Sequence, residues 1–182
     1  EYGSVDVSER NLRNYYLAGY KSACDAKCGM LMTAFNEISG IPCTANKKLM
    51  KETLRDEWQY DGVVITDYGS LNNMQSHRIS ENDAVLSKLA LESSVDIEMC
   101  INRYEKGLPE LLETKQISIK QIDEAVYRIL KLKNRLGLFE NPYRFADIDK
   151  AKQINRNSEM LDLALESVSK TSVLLKNDEE IL

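Results

Sequence analysis

The chain has 182 residues, enough for one domain with a sizeable core, and its 43% hydrophobic and 29% charged content is globular rather than disordered. A net charge of −5, with Lys and Arg scattered along helical stretches, argues against nucleic acid or an anionic membrane surface as partner. No apolar run approaches the length of a membrane span, and the mean hydropathy is −0.41.

The sequence starts at Glu1 with neither Met nor a targeting segment, so it reads as cut at the front. Cys24, Cys28, Cys43 and Cys100 lack Cys-x-x-Cys spacing, and one His is too few for a metal cage. Four buried free thiols, leaning toward a reducing compartment, are expected, and no cofactor or metal.

Asp6-Val7-Ser8-Glu9 offers the acceptors that start a helix, and Leu12, Tyr15, Tyr16, Tyr20 and Ala23 then recur at helical spacing. That helix is predicted to stop before Gly29. Met30 to Phe35 reads as a short apolar strand, and Asn36 to Pro42 as a turn-rich loop. Asn46 can cap a second helix with Leu49, Met50, Thr53, Leu54 and Trp58 as its apolar positions. Gly62-Val63-Val64-Ile65-Thr66-Asp67-Tyr68-Gly69-Ser70 follows, a β-branched run of the kind buried on both faces in a parallel sheet.

A polar loop is predicted from Ser70 to Asn82, then a helix through Val85, Leu89 and Ala90. Val95 to Met99 reads as a third strand, and a short helix covers Tyr104 to Glu113. The strongest helical pattern comes next. Ser118 and Gln121 form a capping box, Ile122, Ala125, Val126, Ile129, Leu132 and Leu136 share a face, and Gly137 is a natural C-cap. Asn141-Pro142-Tyr143 breaks that pattern. A last helix near Ser158 to Ser169 leads into Ser172 to Leu175, a predicted strand.

Leu31, Val64 and Ile97 hold equivalent mid-strand places, each 33 residues from the next. That is about the length of a βαβ unit, so three such units in series predict parallel strands with right-handed crossovers. An open doubly wound sheet and part of an eight-stranded barrel both satisfy the spacing.

In either array the chemistry sits where the strands end. Met32, Phe35 and Asn36 end the first, Asp67 and Tyr68 the second, Glu98 and Met99 the third. A carboxylate beside an aromatic suits sugar chemistry, because the acid can attack an anomeric carbon while the ring packs on the C–H face. Asp67 can equally cap the turn that follows it.

Several segments resemble the family-3 glycoside hydrolases, the β-glucosidase group. They are MTAFNEISGIP from Met32, LRDEWQYDGVVITDY from Leu54, VDIEM from Val95, IDEAVYRIL from Ile122, LGLFENPY from Leu136 and VLLKN from Val173. The likeness runs nearly end to end, in order. It implies a retaining exo-acting β-glycosidase in which Asp67 forms a covalent glycosyl-enzyme that water hydrolyses.

The implied fold is α/β: a partial (β/α)8 TIM barrel holding about its last three β/α units, over residues 1–140. A helical linker and the first strand of a missing α/β sandwich domain would occupy residues 141–182. Met32 and Phe35 match positions lining the glycone pocket, and Tyr68 matches an aromatic, usually Trp, beside the substrate. Phe35 stands where many members have Tyr, so a hydroxyl is missing.

The resemblance places the acid/base Glu in the following sandwich domain and a pocket Lys-His pair on earlier strands. Glu37 and Glu98 match neither; Glu98 is expected to be a structural hydrogen-bonding group and His77 to bond within a loop. Implied partners are a β-linked oligosaccharide or glycoside and the remainder of the barrel and sandwich, with no nucleic acid and no membrane. The isolated piece is expected to be inactive. The rival reading is a non-catalytic carbohydrate-binding relic of the same barrel. A phosphorelay receiver would need an acidic pair after Met32 and a Lys after Ile97, and neither is there.

Overall fold

Apolar triplets at Met30–Met32 (β2) and Val63–Ile65 (β5) lie side by side in the computed structural model, which describes residues 2–178. They pair in parallel with Leu31 opposite Val64, the partners the 33-residue spacing predicts. Val63 and Val64 are fully buried, as strands covered on both faces require. Thr33 N extends the ladder by donating to Ile65 O at 3.0 Å.

The predicted third strand, Val95 to Met99, reduces to a single parallel bridge between Ile65 and Ile97. A side chain explains the shortfall. Val64 N, which an unbroken ladder would give to a backbone carbonyl, donates to Asp96 Oδ2 at 2.9 Å.

The chain divides into two compact units, residues 1–136 and 137–182. In the first, Ser8 caps α1 (Glu9–Asn11), which runs through a π-helical stretch, Leu12–Tyr16, into α2 (Ala18–Asp25). The tyrosines that recur at helical spacing are open: Tyr15, Tyr16 and Tyr20 are 77%, 61% and 50% exposed. The stretch predicted as a turn-rich loop is a hairpin of β3 (Glu37–Ile38) and β4 (Ile41–Pro42), with β1 (Ser4–Val5) added parallel to β3.

Asn46 Oδ1 accepts from Leu49 N at 3.0 Å and opens the helix Lys48–Glu57, again of the wider π type. The region predicted as a polar loop after β5 contains α3 (Ser70–Ser76). Leu71 and Met74, three apart on one face, are 0% and 1% exposed, and their burial favours a helix despite the polar residues between them.

Then come α4 (Asp83–Glu92), α5 (Arg103–Glu113) and α6 (Ile119–Arg135). Ala84, Leu91, Leu111 and Ile117 form a small core between α4 and α5, while Leu54, Val64, Leu71, Met74, Leu86 and Val95 centre the larger one. The capping box at Ser118 and Gln121 forms as expected, and Gly137 follows at φ 66°.

The second unit contains α7 (Ile148–Ile154), which the sequence pattern missed, and α8 (Ser158–Thr171). The predicted strand Ser172 to Leu175 is absent. The described residues of its own unit contain no strand for it to pair with, and Leu175 is 91% exposed. Glu1 and residues 179–182, the ends of the two expected domains, lie outside the described residues.

Candidate active site

Asp67 lies two residues past β5, at the end where Met32 closes β2, because Met32 and Ile65 are paired. The two residues Asp67 and Tyr68 form an arch whose feet stand on Met99. Met99 N donates to Thr66 Oγ1 at 2.9 Å, and Gly69 N donates to Met99 O at 3.1 Å. Gly69 sits at φ 65°, the left-handed conformation that lets the chain turn at once into α3. Ser70 N closes the turn on Asp67 O at 3.1 Å.

The carboxylate is half-buried. Its Oδ1 accepts from Tyr68 N at 2.6 Å, and Oδ2 has no hydrogen-bond partner among the described residues. One oxygen is therefore oriented and the other left open.

Tyr68, 68% exposed, stands beside it, and Met32 is 47% exposed at the end of the neighbouring strand. Phe35 is placed differently. It is only 9% exposed, and its ring packs on Tyr2 at a centroid distance of 4.9 Å, with 30° between the planes. Tyr2, 58% exposed, is the more open ring of the two, and nothing in its sequence neighbourhood singled it out.

His77 ties these parts together. Its Nε2–H donates to Phe35 O at 3.0 Å, since a carbonyl can only accept, and Nδ1 faces Glu37 Oε2 at 3.3 Å. A loop bond is what the sequence suggested for it, and here the bond joins the end of α3 to the segment after β2.

Arg103 works from the other side, with Nε on Asn72 at 2.5 Å, Nη2 on Gln75 at 2.9 Å and an ion pair to Asp83. Glu98 accepts from Arg103 N at 3.0 Å and Tyr104 N at 2.8 Å, capping α5. Burial holds its pKa above the usual carboxylate value, while those two N–H bonds pull the other way.

Below the strand ends lies a buried ion cluster that sequence reasoning missed. Asp96, whose side chain is 0% exposed, takes Arg55 Nη2 at 2.8 Å and Arg128 Nη2 at 2.7 Å. Arg55 also donates to Tyr60 O, Gly62 O and Ser94 O, so it fastens the start of β5 to the neighbouring segment. Desolvation lowers its pKa, opposed by the charge of Asp96.

An apolar cavity of about 390 Å³, lined among others by Leu12, Tyr16, Leu31, Leu54 and Trp58, reaches Met32 but not Asp67. No group of acids, cysteines and histidine suited to a metal occurs among the described residues. The four thiols are free; Cys24 and Cys43 are buried, whereas Cys28 is half-buried and Cys100 exposed, so the expectation of four buried thiols fails for two.

A half-open carboxylate beside an exposed aromatic at the end of a parallel strand is the kind of site glycoside hydrolases carry. The chain is also similar to known glycosidases. A β-glucosidase from Listeria innocua, solved in complex with glucose, superposes with a TM-score of 0.84 at 39% identity over 100% of this chain and 25% of that one. The periplasmic β-glucosidase of Salmonella typhimurium is 33% identical over 100% of this chain and 24% of its own length. A β-xylosidase of Formosa agariphila is 31% identical over 99% and 26%.

Residues 1–132 match the glycosyl hydrolase family 3 N terminal domain. The chain belongs to that family, and it spans about a quarter of the length of the relatives it matches.

Proposed function

We propose that this chain is part of the catalytic barrel of a retaining, exo-acting β-glycosidase of the β-glucosidase type, with Asp67 as nucleophile. The observation that carries the reading is the open Oδ2 of a carboxylate clamped at the end of a parallel strand. That oxygen attacks the anomeric carbon as the bond to the leaving oxygen breaks. The leaving oxygen takes its proton from a general acid that this chain does not supply. Water, giving up a proton to the now deprotonated acid group, then attacks the same carbon from the face opposite Asp67, releasing the sugar with its configuration retained and Asp67 as a carboxylate.

In this reading Met32 and Phe35 shape the pocket for the terminal sugar, and Tyr68 flanks the aglycone side with an exposed ring. The substrate is a β-linked oligosaccharide or glycoside. Residues 1–140 hold about the last three β/α units of a (β/α)8 barrel, and residues 141–182 lead toward a sandwich domain that carries the acid/base Glu. The rest of the barrel and that domain are the partners in the full-length protein.

Trapping tests it. In the full-length protein a 2-fluoro-glucosyl fluoride should label Asp67, identified by peptide mass, and Asp67→Asn should abolish both labelling and turnover. A protein that binds the sugar and is never labelled is instead the non-catalytic relic. The 182-residue chain alone should not turn over an aryl β-glucoside; turnover lost in Asp67→Asn would show that the missing parts are dispensable.

A further inference from the structure

We infer that a buried chain of three hydroxyls, Thr33–Thr44–Ser70, positions the Asp67 carboxylate for attack; this rests on the reading of Asp67 as nucleophile. Thr44 Oγ1 lies 2.8 Å from Thr33 Oγ1 and 2.7 Å from Ser70 Oγ. The three residues are 3%, 1% and 2% exposed, out of reach of substrate and of bulk water.

Hydroxyls kept inside a packed interior cost stability unless bonded, so their placement calls for a reason. Each belongs to a different segment: Thr33 directly follows β2, Thr44 lies in the 3-10 turn after the hairpin, and Ser70 opens α3. Ser70 N also holds Asp67 O at 3.1 Å. Thr44 therefore couples the segment carrying Met32 and Phe35 to the turn carrying Asp67. The Met99 clamp holds the two feet of the arch, and the hydroxyl chain fixes the end at which it turns into the helix.

Thr44 is the central member, so Thr44→Val keeps the shape and deletes both bonds, leaving Thr33 and Ser70 unpartnered. None of the three touches a reacting atom, so they are positioning residues. Their loss should appear in the bond-making step and leave sugar binding alone.

The experiment uses the full-length protein and the 2-fluoro-glucosyl fluoride probe. Wild-type protein that is not trapped overturns the nucleophile reading, and this proposal with it. Given trapping, Thr44→Val should lower the rate constant at saturating probe by about tenfold to hundredfold, the cost of a misplacement near 1 Å. The half-saturating concentration should stay within about twofold, as expected when only an interaction made in the transition state is lost. Thr44→Ser, which keeps the hydroxyl, should recover to within about threefold of wild type, because both bonds can re-form. Trapping of Thr44→Val at the wild-type rate, a loss confined to half-saturation, or a Ser variant as slow as the Val variant overturns the inference. If Thr44→Val does not fold, Ser70→Ala carries the test: slower trapping with unchanged half-saturation supports the proposal, and a wild-type rate overturns it.

Discussion

Glu98 is a carboxylate turned toward its own backbone, with its two oxygens on the first amides of α5. Burial raises its folded-state pKa above the ordinary value, so between the unfolded and folded values the native chain holds more protons. The stability this group contributes is full at acid pH and is lost as pH rises through the folded value. Glu98→Gln cannot titrate and gives up one of the two bonds. In urea melts from about pH 4 to about pH 7, its deficit against wild type should be largest at the acid end and shrink as pH rises. A deficit that widens with pH would mean that the amide bonds outweigh burial. Sequence made Asp67 legible at this scale because a carboxylate ending an apolar run is a local pattern. Asp96 with Arg55 and Arg128 was not legible, since the partners come from a helix, a strand edge and another helix. The hydroxyls of Thr33, Thr44 and Ser70 are common polar residues with no spacing to mark them.

Between elements, α4 and α5 approach closely at Gly107. A Cβ there would lie 2.7 Å from Asp83 O and 2.9 Å from Ala84 Cα, both backbone atoms that cannot rotate away. Helix propensity favours Gly107→Ala by about 1 kcal/mol. Parting two packed helices costs more, about 1–3 kcal/mol, so the net effect should be destabilising. The measurement is the unfolding free energy of Gly107→Ala against exposed Glu105→Ala; a Gly107→Ala protein more stable than wild type would show that α4 and α5 can separate freely. Sequence located most helices because their apolar positions repeat, and it missed elements whose signal lies elsewhere. The hairpin β3–β4 has two residues per strand, too few to show alternation. In α3 Leu71 and Met74 are the only apolar residues, both buried and set among polar neighbours. The π-helical stretches depend on bonds such as Trp58 N to Thr53 O, which no residue pattern announces. The segment after Ser172 has strand composition, and composition without a partner strand in its own unit does not make a strand.

Over the whole molecule, the 33-residue repeat correctly fixed the parallel pairing of β2 with β5. It could not decide how the sheet ends, because closure depends on residues far apart in sequence. Among the described residues β2 is paired on one side only, which leaves a row of backbone donors and acceptors open along its other edge. Met30 and Met32 on that strand are 43% and 47% exposed, and the apolar cavity opens beside Leu31. If the chain is part of a barrel, that edge and cavity are where the preceding strand and helix pack, and the isolated chain should self-associate through them. Sedimentation velocity should show species larger than a monomer growing with concentration over roughly the micromolar to hundred-micromolar range, where exposed strand edges aggregate. Met30→Lys puts a charge on the open strand, the device natural edge strands use, and should shift the chain toward monomer without touching Asp67. A 182-residue chain that stays monomeric throughout, with Met30→Lys making no difference, would argue that β2 is a true outer edge and the sheet an open one.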